Sequence, residues 1–300
     1  MAEAVITRGV GGHYTLHRHD PPFEGLAYLR GILRQDDLRP LAGDRVRFES
    51  SHDPDIPYVV EAVLPRKNVS QRPAVANLDM LVLTVSIVQP KPDLFLIDRL
   101  IVYAAENDII PVLLVTKTDL ATTKNRQVIL ADITANYARS GLAMFADGFD
   151  GDDSELDRFM EHIRGKTVAF AGQSGVGKST KLNRLLGDVI NETGAVSDKI
   201  GLGRHTTRET QLFPVAGGGY IADTPGFSVL NLGDLAITPE GLRRGYAEFR
   251  EVEGVCRFLD CRHDGDMGCA VSDAIIHPER LDRYRKLLQE TVSGMKPGER

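Results

Sequence analysis

Long apolar runs are missing from this chain. No stretch approaches the ~20 residues that a membrane-spanning helix requires, and the N-terminus lacks a signal-peptide pattern. A soluble, cytoplasmic protein is expected. Positive charge is not in excess either. With 36 Lys and Arg against 42 Asp and Glu the formal charge is −6. That excludes a surface coated for nucleic acid and leaves only local contacts. Cysteine is scarce, and Cys256, Cys261 and Cys269 fall within one short stretch. An odd, clustered set is a poor disulfide framework and a better metal site. Length is not lacking: 300 residues suffice for two or three domains with real cores.

The centre of the chain carries Gly172-Gln173-Ser174-Gly175-Val176-Gly177-Lys178-Ser179, which fits GxxxxGK[ST]. An apolar run, Thr167–Ala171, precedes it and reads as a buried strand. The residues after it, from Thr180, read as a helix with Leu182, Leu185 and Leu186 on one face. Strand, glycine loop and helix is the context in which backbone N–H groups surround a phosphate and the helix N-terminus adds partial positive charge. Lys178 would reach the β- and γ-phosphates, and the Ser179 hydroxyl would ligate magnesium.

Residues 1–72 read as a small β domain, with strands over Gly25–Leu33, Asp44–Glu49 and Tyr58–Leu64 between turn-formers. An OB-fold barrel is expected. Ten Lys and Arg balance ten Asp and Glu there, so a purely structural barrel competes with an RNA-binding one. Arg8, His13, Arg18, Arg45, Arg47, Arg66 and Lys67 are the candidate phosphate contacts.

Residues 73–229 read as α/β. Strands are expected at Leu78–Val85 and Ile109–Val115, helices at Leu94–Glu106, at about Lys124–Ser140 and up to Ile163. The acidic stretch Asp147–Asp153 reads as solvated surface. The second strand runs into Thr116-Lys117-Thr118-Asp119, at the carboxyl end where doubly wound sheets bind ligands. Asp119 would accept from the ring N–H and exocyclic amine of guanine, and adenine would leave it unpaired. Lys117 would pack along the base and brace the loop. Further on, strands Gln211–Val215 and Tyr220–Asp223 lead to Asp223-Thr224-Pro225-Gly226, a DxxG pattern. Asp223 would reach magnesium through water, and the Gly226 N–H would meet the γ-phosphate.

The base-reading motif thus precedes the phosphate loop, the reverse of an ordinary GTPase, and a circular permutation explains the order. It also puts the γ-phosphate sensor at the domain's exit into residues 230–300. There a loosely helical stretch, Pro239–Glu251, leads to Cys256-x4-Cys261-x-His263-x5-Cys269. Three thiolates and an imidazole form a closed, structural zinc set, with Asp260, Asp264 and Asp266 as candidates to orient the histidine. A final amphipathic helix, Pro278–Val292, has Leu281, Tyr284, Leu288 and Val292 facing inward. Arg280, Arg283, Arg285 and Lys286 are left along its remaining surface.

The permuted order, the leading barrel and the trailing Cys/His module resemble the ribosome-small-subunit-dependent GTPase A family. Arg72–Asp79 and Gly203-Arg204-His205-Thr206-Thr207 carry the likeness further. The resemblance implies a cytoplasmic GTPase that binds the small ribosomal subunit and its rRNA late in maturation and is stimulated by it. It implies GTP with Mg2+, one structural Zn2+, and a monomer. His205 becomes the candidate for orienting the attacking water, because Phe227 stands where Ras-type enzymes place Gln. Thr207, with Thr206 as the alternative, is expected to close over magnesium. Three features depart from the family's pattern. Thr116 replaces Asn, Arg208 replaces Thr, and no serine-alanine loop is recognisable near Ala143–Asp147. Gly175 stands where potassium-activated GTPases carry Asn, so no potassium requirement is expected. An RNA-binding scaffold using GTP only as a switch is the alternative, and an ATP-dependent enzyme a third reading. Nucleotide selectivity and turnover with small subunits separate the three.

Overall fold

The computed structural model describes residues 1–31, 39–53, 55–71, 74–148, 154–193, 210–215, 217–223 and 237–294. Of these, 71, 187–193, 223 and 292–294 are described by backbone alone. The chain divides into two compact units, Met1–Leu81 with Arg158–Phe170 and Lys178–Val229, and Val82–Asp157 with Ala171–Gly177 and Leu230–Arg300. No helix among the described residues is long and apolar enough to cross a membrane.

The first unit begins with five strands, β1 (Ala2–Val10), β2 (His13–Arg18), β3 (Phe23–Leu29), β4 (Arg45–Ser50) and β5 (Tyr58–Val63). They close into a barrel in the order β1-β2-β3-β5-β4, with only the β3–β5 pair parallel. That is the expected OB-fold. Ile6, Leu16, Ala27, Val46, Phe48 and Val60 fill it, and Phe23 stacks on Phe48 with the Tyr58 ring set edgewise to both. Asp44 is fully buried and paired twice with Arg66, at 2.7 Å each. Arg66, expected to meet phosphate, is therefore engaged by Asp44. Arg45 and Arg47 pair with Glu3, and Lys67 with Asp79, whereas Arg8 and His13 stay exposed.

A hairpin, β6 (Val69–Gln71) and β7 (Ala74–Ala76), leads to β8 (Met80–Ser86), every residue of which is buried. Such a run is what a strand covered on both faces requires. In the second unit β8 is followed by α1 (Leu94–Glu106), β9 (Ile110–Thr116), α2 (Lys124–Tyr137) and β10 (Ala143–Asp147), and the strands lie side by side as β10-β9-β8. β9 and β10 run parallel with Thr116 opposite Asp147. Asp147, expected on a solvated stretch, is a buried strand end. Helix α3 (Ser154–Ile163), in the first unit from Arg158 on, precedes β11 (Thr167–Ala171), which pairs in parallel with β13 (Tyr220–Asp223), itself antiparallel to β12 (Gln211–Pro214). Helix α4 (Lys178–Thr193) follows the glycine loop.

The C-terminal part of the second unit holds α5 (Pro239–Gly245), a 3-10 turn over Ala247–Val252, and α6 (Pro278–Gly294). Leu242, Tyr246, Phe249, Ile276, Leu281, Tyr284 and Leu288 make its core, with Val102 of α1. Here the sequence expectation for α6 fails in part. Arg280 is fully buried, bonded to Asp98 of α1 and to Glu248 at 2.7 Å, and it lies between the rings of Tyr137 and Tyr246. Arg283 joins Asp98 and Asn136. Their guanidinium groups face carboxylates from other elements, so the helix is buried on more than its apolar stripe.

Candidate functional site

β9 ends in a turn that the sequence predicts as a base reader. Lys117 adopts a left-handed conformation (φ 60°), and a 3-10 turn over Thr118–Leu120 follows. The Thr116 hydroxyl donates to the Val176 carbonyl at 2.6 Å, and Lys117 Nζ donates to the carbonyls of Gln89 (2.6 Å) and Gly175 (2.9 Å). Both residues thus touch the glycine loop. Lys117 holds that loop through the Gly175 carbonyl. Asp119 Oδ1 is buried and has no hydrogen-bond partner among the described residues. A buried carboxylate oxygen without a donor points to a ligand that supplies one.

The partner loop that the sequence does not reveal begins at Gly148, one residue past β10. A side-chain carbon there would lie 2.6 Å from the Asp119 backbone nitrogen, so only glycine fits. The short run Leu142–Asp147 between two helices is the signal that locates it. Residues 149–153 of this loop lie outside the described residues.

Gly172 has φ 138°, and a side-chain carbon would meet the Thr84 carbonyl at 2.2 Å. The loop can therefore turn against β8 only as glycine. Gly175 and Gly177 are also left-handed, Val176 is buried, and Gln173, Ser174 and Gly177 are exposed in full or in part. The next residues open α4. Lys178 is partly buried, and loss of solvent pushes its ammonium pKa down to about 8. Ser179 and Thr180 are exposed. Asp223 ends β13 opposite Gln211. His205, Thr206, Thr207, Arg208, Gly226 and Phe227 lie outside the described residues, as do Arg72 and Pro73.

The second cluster is metal-like. The ligand atoms of Cys256, Cys261, His263 and Cys269 all lie within 4.8 Å of one another. His263 Nδ1 stands 3.7, 3.6 and 3.5 Å from the three sulfurs. A tetrahedral zinc, with bonds of about 2.3 Å to sulfur and 2.0 Å to nitrogen, sets sulfur and nitrogen about 3.5 Å apart. The four residues fit a zinc ion. His263 reaches the cluster through a left-handed backbone (φ 60°), with its ring against Phe249. The Ala270 N–H points at Cys256 Sγ, 3.3 Å away. Of the carboxylates expected to orient His263, Asp266 lies 3.5 Å from Cys261 Sγ and accepts from the Arg262 N–H. The histidine is oriented instead by its own loop, which Tyr284 holds through the Arg262 carbonyl at 2.7 Å.

Comparison with known proteins agrees with the GTPase reading of the first cluster. Residues 63–233 match the family described as RsgA GTPase. The "Small ribosomal subunit biogenesis GTPase RsgA 2" of Listeria innocua serovar 6a is 37% identical over 290 residues, 96% of either chain. Two solved structures are similar at 29% identity. A circularly permuted GTPase, YloQ, has a TM-score of 0.80 over 99% of this chain and 97% of its own. YjeQ from Thermotoga maritima scores 0.81 over 98% and 99%.

Proposed function

The chain belongs to the RsgA GTPase family, and from that premise we propose that it hydrolyses GTP while bound to the small ribosomal subunit during late maturation. The observation that carries the guanine reading is the buried Oδ1 of Asp119, without a partner among the described residues, in a turn tied to the phosphate loop. Asp119 accepts the guanine donors, and Gly172–Thr180 surround the phosphates. Ser179 and Asp223, with Thr207, hold the magnesium that accompanies GTP, an ion that neutralises charge building on the phosphates. Lys178 meets the β- and γ-phosphates. His205 orients a water whose oxygen bonds to the γ-phosphorus as the bond to the β–γ bridging oxygen breaks. Gly226 senses the γ-phosphate. One structural zinc is held by Cys256, Cys261, His263 and Cys269.

The working parts are an OB-fold over 1–72, the permuted GTPase domain over 73–229 and the zinc-binding module over 230–300. The protein acts as a cytoplasmic monomer. A subunit contact through the zinc module is supported by its exposed Val255, Phe258, Leu259 and Met267. Beside the cluster runs a groove of about 460 Å3 lined in part by Arg243, Arg244 and Arg250. Apolar side chains in such a cluster mark an interaction surface.

A turnover assay with purified ribosomal subunits tests the reading. GTP hydrolysis alone should be slow, on the order of 10⁻⁴–10⁻² s⁻¹ as in unassisted GTPases, strongly raised by small subunits and little by large ones. His205→Ala should abolish the stimulation and keep GTP binding. Unstimulated turnover as fast as stimulated turnover refutes the proposal.

A further inference from the structure

Two side chains join the base-reading turn to the phosphate loop, and one of them has nothing left to offer a base. Thr116 is buried at the end of β9. Its hydroxyl lies 2.6 Å from the Val176 carbonyl oxygen and 3.3 Å from that of Val85. Both neighbours are acceptors, and a threonine hydroxyl carries a single proton. That proton is directed at Val176, the shorter contact. Lys117 holds the adjoining carbonyl of Gly175. Two consecutive peptides of the loop, Gly175–Val176 and Val176–Gly177, are therefore gripped from the turn that precedes Asp119. Along its imidazole edge guanine presents acceptors only, N7 and O6. A hydroxyl whose proton is already taken cannot bond to either. An amide at this position has two N–H donors and could serve loop and base together.

We propose that Thr116 is a positioning residue that fastens the phosphate loop to the base-reading turn, and that N7 of guanine goes unread in this chain, with base choice resting on Asp119. The inference rests on the guanine-nucleotide reading of the site. Its consequence is a division of labour. Loosening Thr116 disturbs the loop that holds the phosphates, for every nucleotide alike, and leaves selection between bases where it was.

The test is calorimetric titration of the full chain, with magnesium, by GDP, 7-deaza-GDP and ADP. The 7-deaza analogue replaces N7 with C–H. Wild type should bind GDP and 7-deaza-GDP within about twofold, because no donor to N7 is lost. Thr116→Val keeps the shape and removes the hydroxyl. It should weaken both roughly tenfold by leaving the Val176 carbonyl unpaired, with their ratio unchanged. Thr116→Ser should restore both. A wild-type preference for GDP over the 7-deaza analogue of roughly threefold or more, the size of one hydrogen bond, overturns the proposal. Unchanged affinity in Thr116→Val overturns it as well. The wild-type ratio is informative even where the valine variant does not fold. Equal binding of ADP and GDP by wild type would instead bring down the guanine reading itself.

Discussion

Asp119 Oδ1 is an acceptor sealed from water with no donor in reach among the described residues. Leaving such an oxygen unpaired costs about 1–3 kcal/mol, which a bound guanine recovers through its ring N–H and amine. Asp119→Asn turns one acceptor into a donor that suits the second carbonyl of xanthine. The variant should lose GTP affinity on the order of a hundredfold and gain xanthine nucleotides, as competition titrations would read. Lys178 gives a second residue-level expectation. Desolvation has pushed its pKa down to about 8, whereas bound phosphates favour the ammonium. Above pH 8 binding must therefore take up a proton. GDP affinity should be flat below that pH and fall about tenfold per unit above it, and Lys178→Arg should remove the slope. Proton uptake measured in buffers of different ionisation enthalpy checks it. Asp119 and Lys178 were legible from spacing alone. Gly148 was not, because what selects it is a backbone approach from the turn at Asp119, 29 positions away in sequence.

Elements were legible where their own periodicity decides them. Helix α1 and strands β11 and β13 fall where the apolar spacing puts them. The first hairpin was missed for a physical reason: a bulge between Ile6 and Arg8 breaks the alternation, so that Ile6 and Thr7 are both buried. The buried arginines of α6 escaped because their partner, Asp98, lies on α1. Within the first unit, β2 is fastened to the start of β13. Tyr220 Oη and His17 Nδ1 are 3.0 Å apart, and His19 Nε2 donates to the Gly219 carbonyl at 2.9 Å. Burial, with His19 close by, lowers the His17 pKa to about 4 from its ordinary 6.5. Its neighbours are His19, Tyr220 and, across β3, the exposed Glu24. Between pH 6.5 and 4 the unfolded chain binds a proton that the folded joint refuses. This contribution to stability is complete above pH 6.5 and is lost as pH falls toward 4. Melting temperatures over that range should drop less steeply in His17→Gln than in wild type.

The second unit gathers three distant stretches of chain, Val82–Asp157, Ala171–Gly177 and Leu230–Arg300. Two features hold its C-terminal part, and they should fail differently. Arg280 lies among Asp98, Glu248 and two aromatic rings. Arg280→Leu would leave Glu248 buried without a counter-charge and Asp98 with Arg283 alone, a loss of about 3–5 kcal/mol. Against a domain's usual 5–15 kcal/mol this is a large fraction, and it falls where α1, α2 and α6 meet. The zinc ligands sit on loops, and the core beside them is made of side chains that are not ligands, Leu242, Tyr246, Phe249, Ile276, Leu281 and Tyr284. Removing the metal should therefore loosen the loops and spare the core. Native protein should carry one zinc by metal analysis. Hydrogen exchange should rise in Cys261→Ala only over residues 250–275, with nucleotide affinity nearly unchanged. In Arg280→Leu it should rise together over α1, α6 and the turn at Thr116–Asp119, with β1–β5 of the first unit unaffected. Exchange spreading from Cys261→Ala into α1 would show that the metal, and not the buried charge network, sets the cooperativity of the unit.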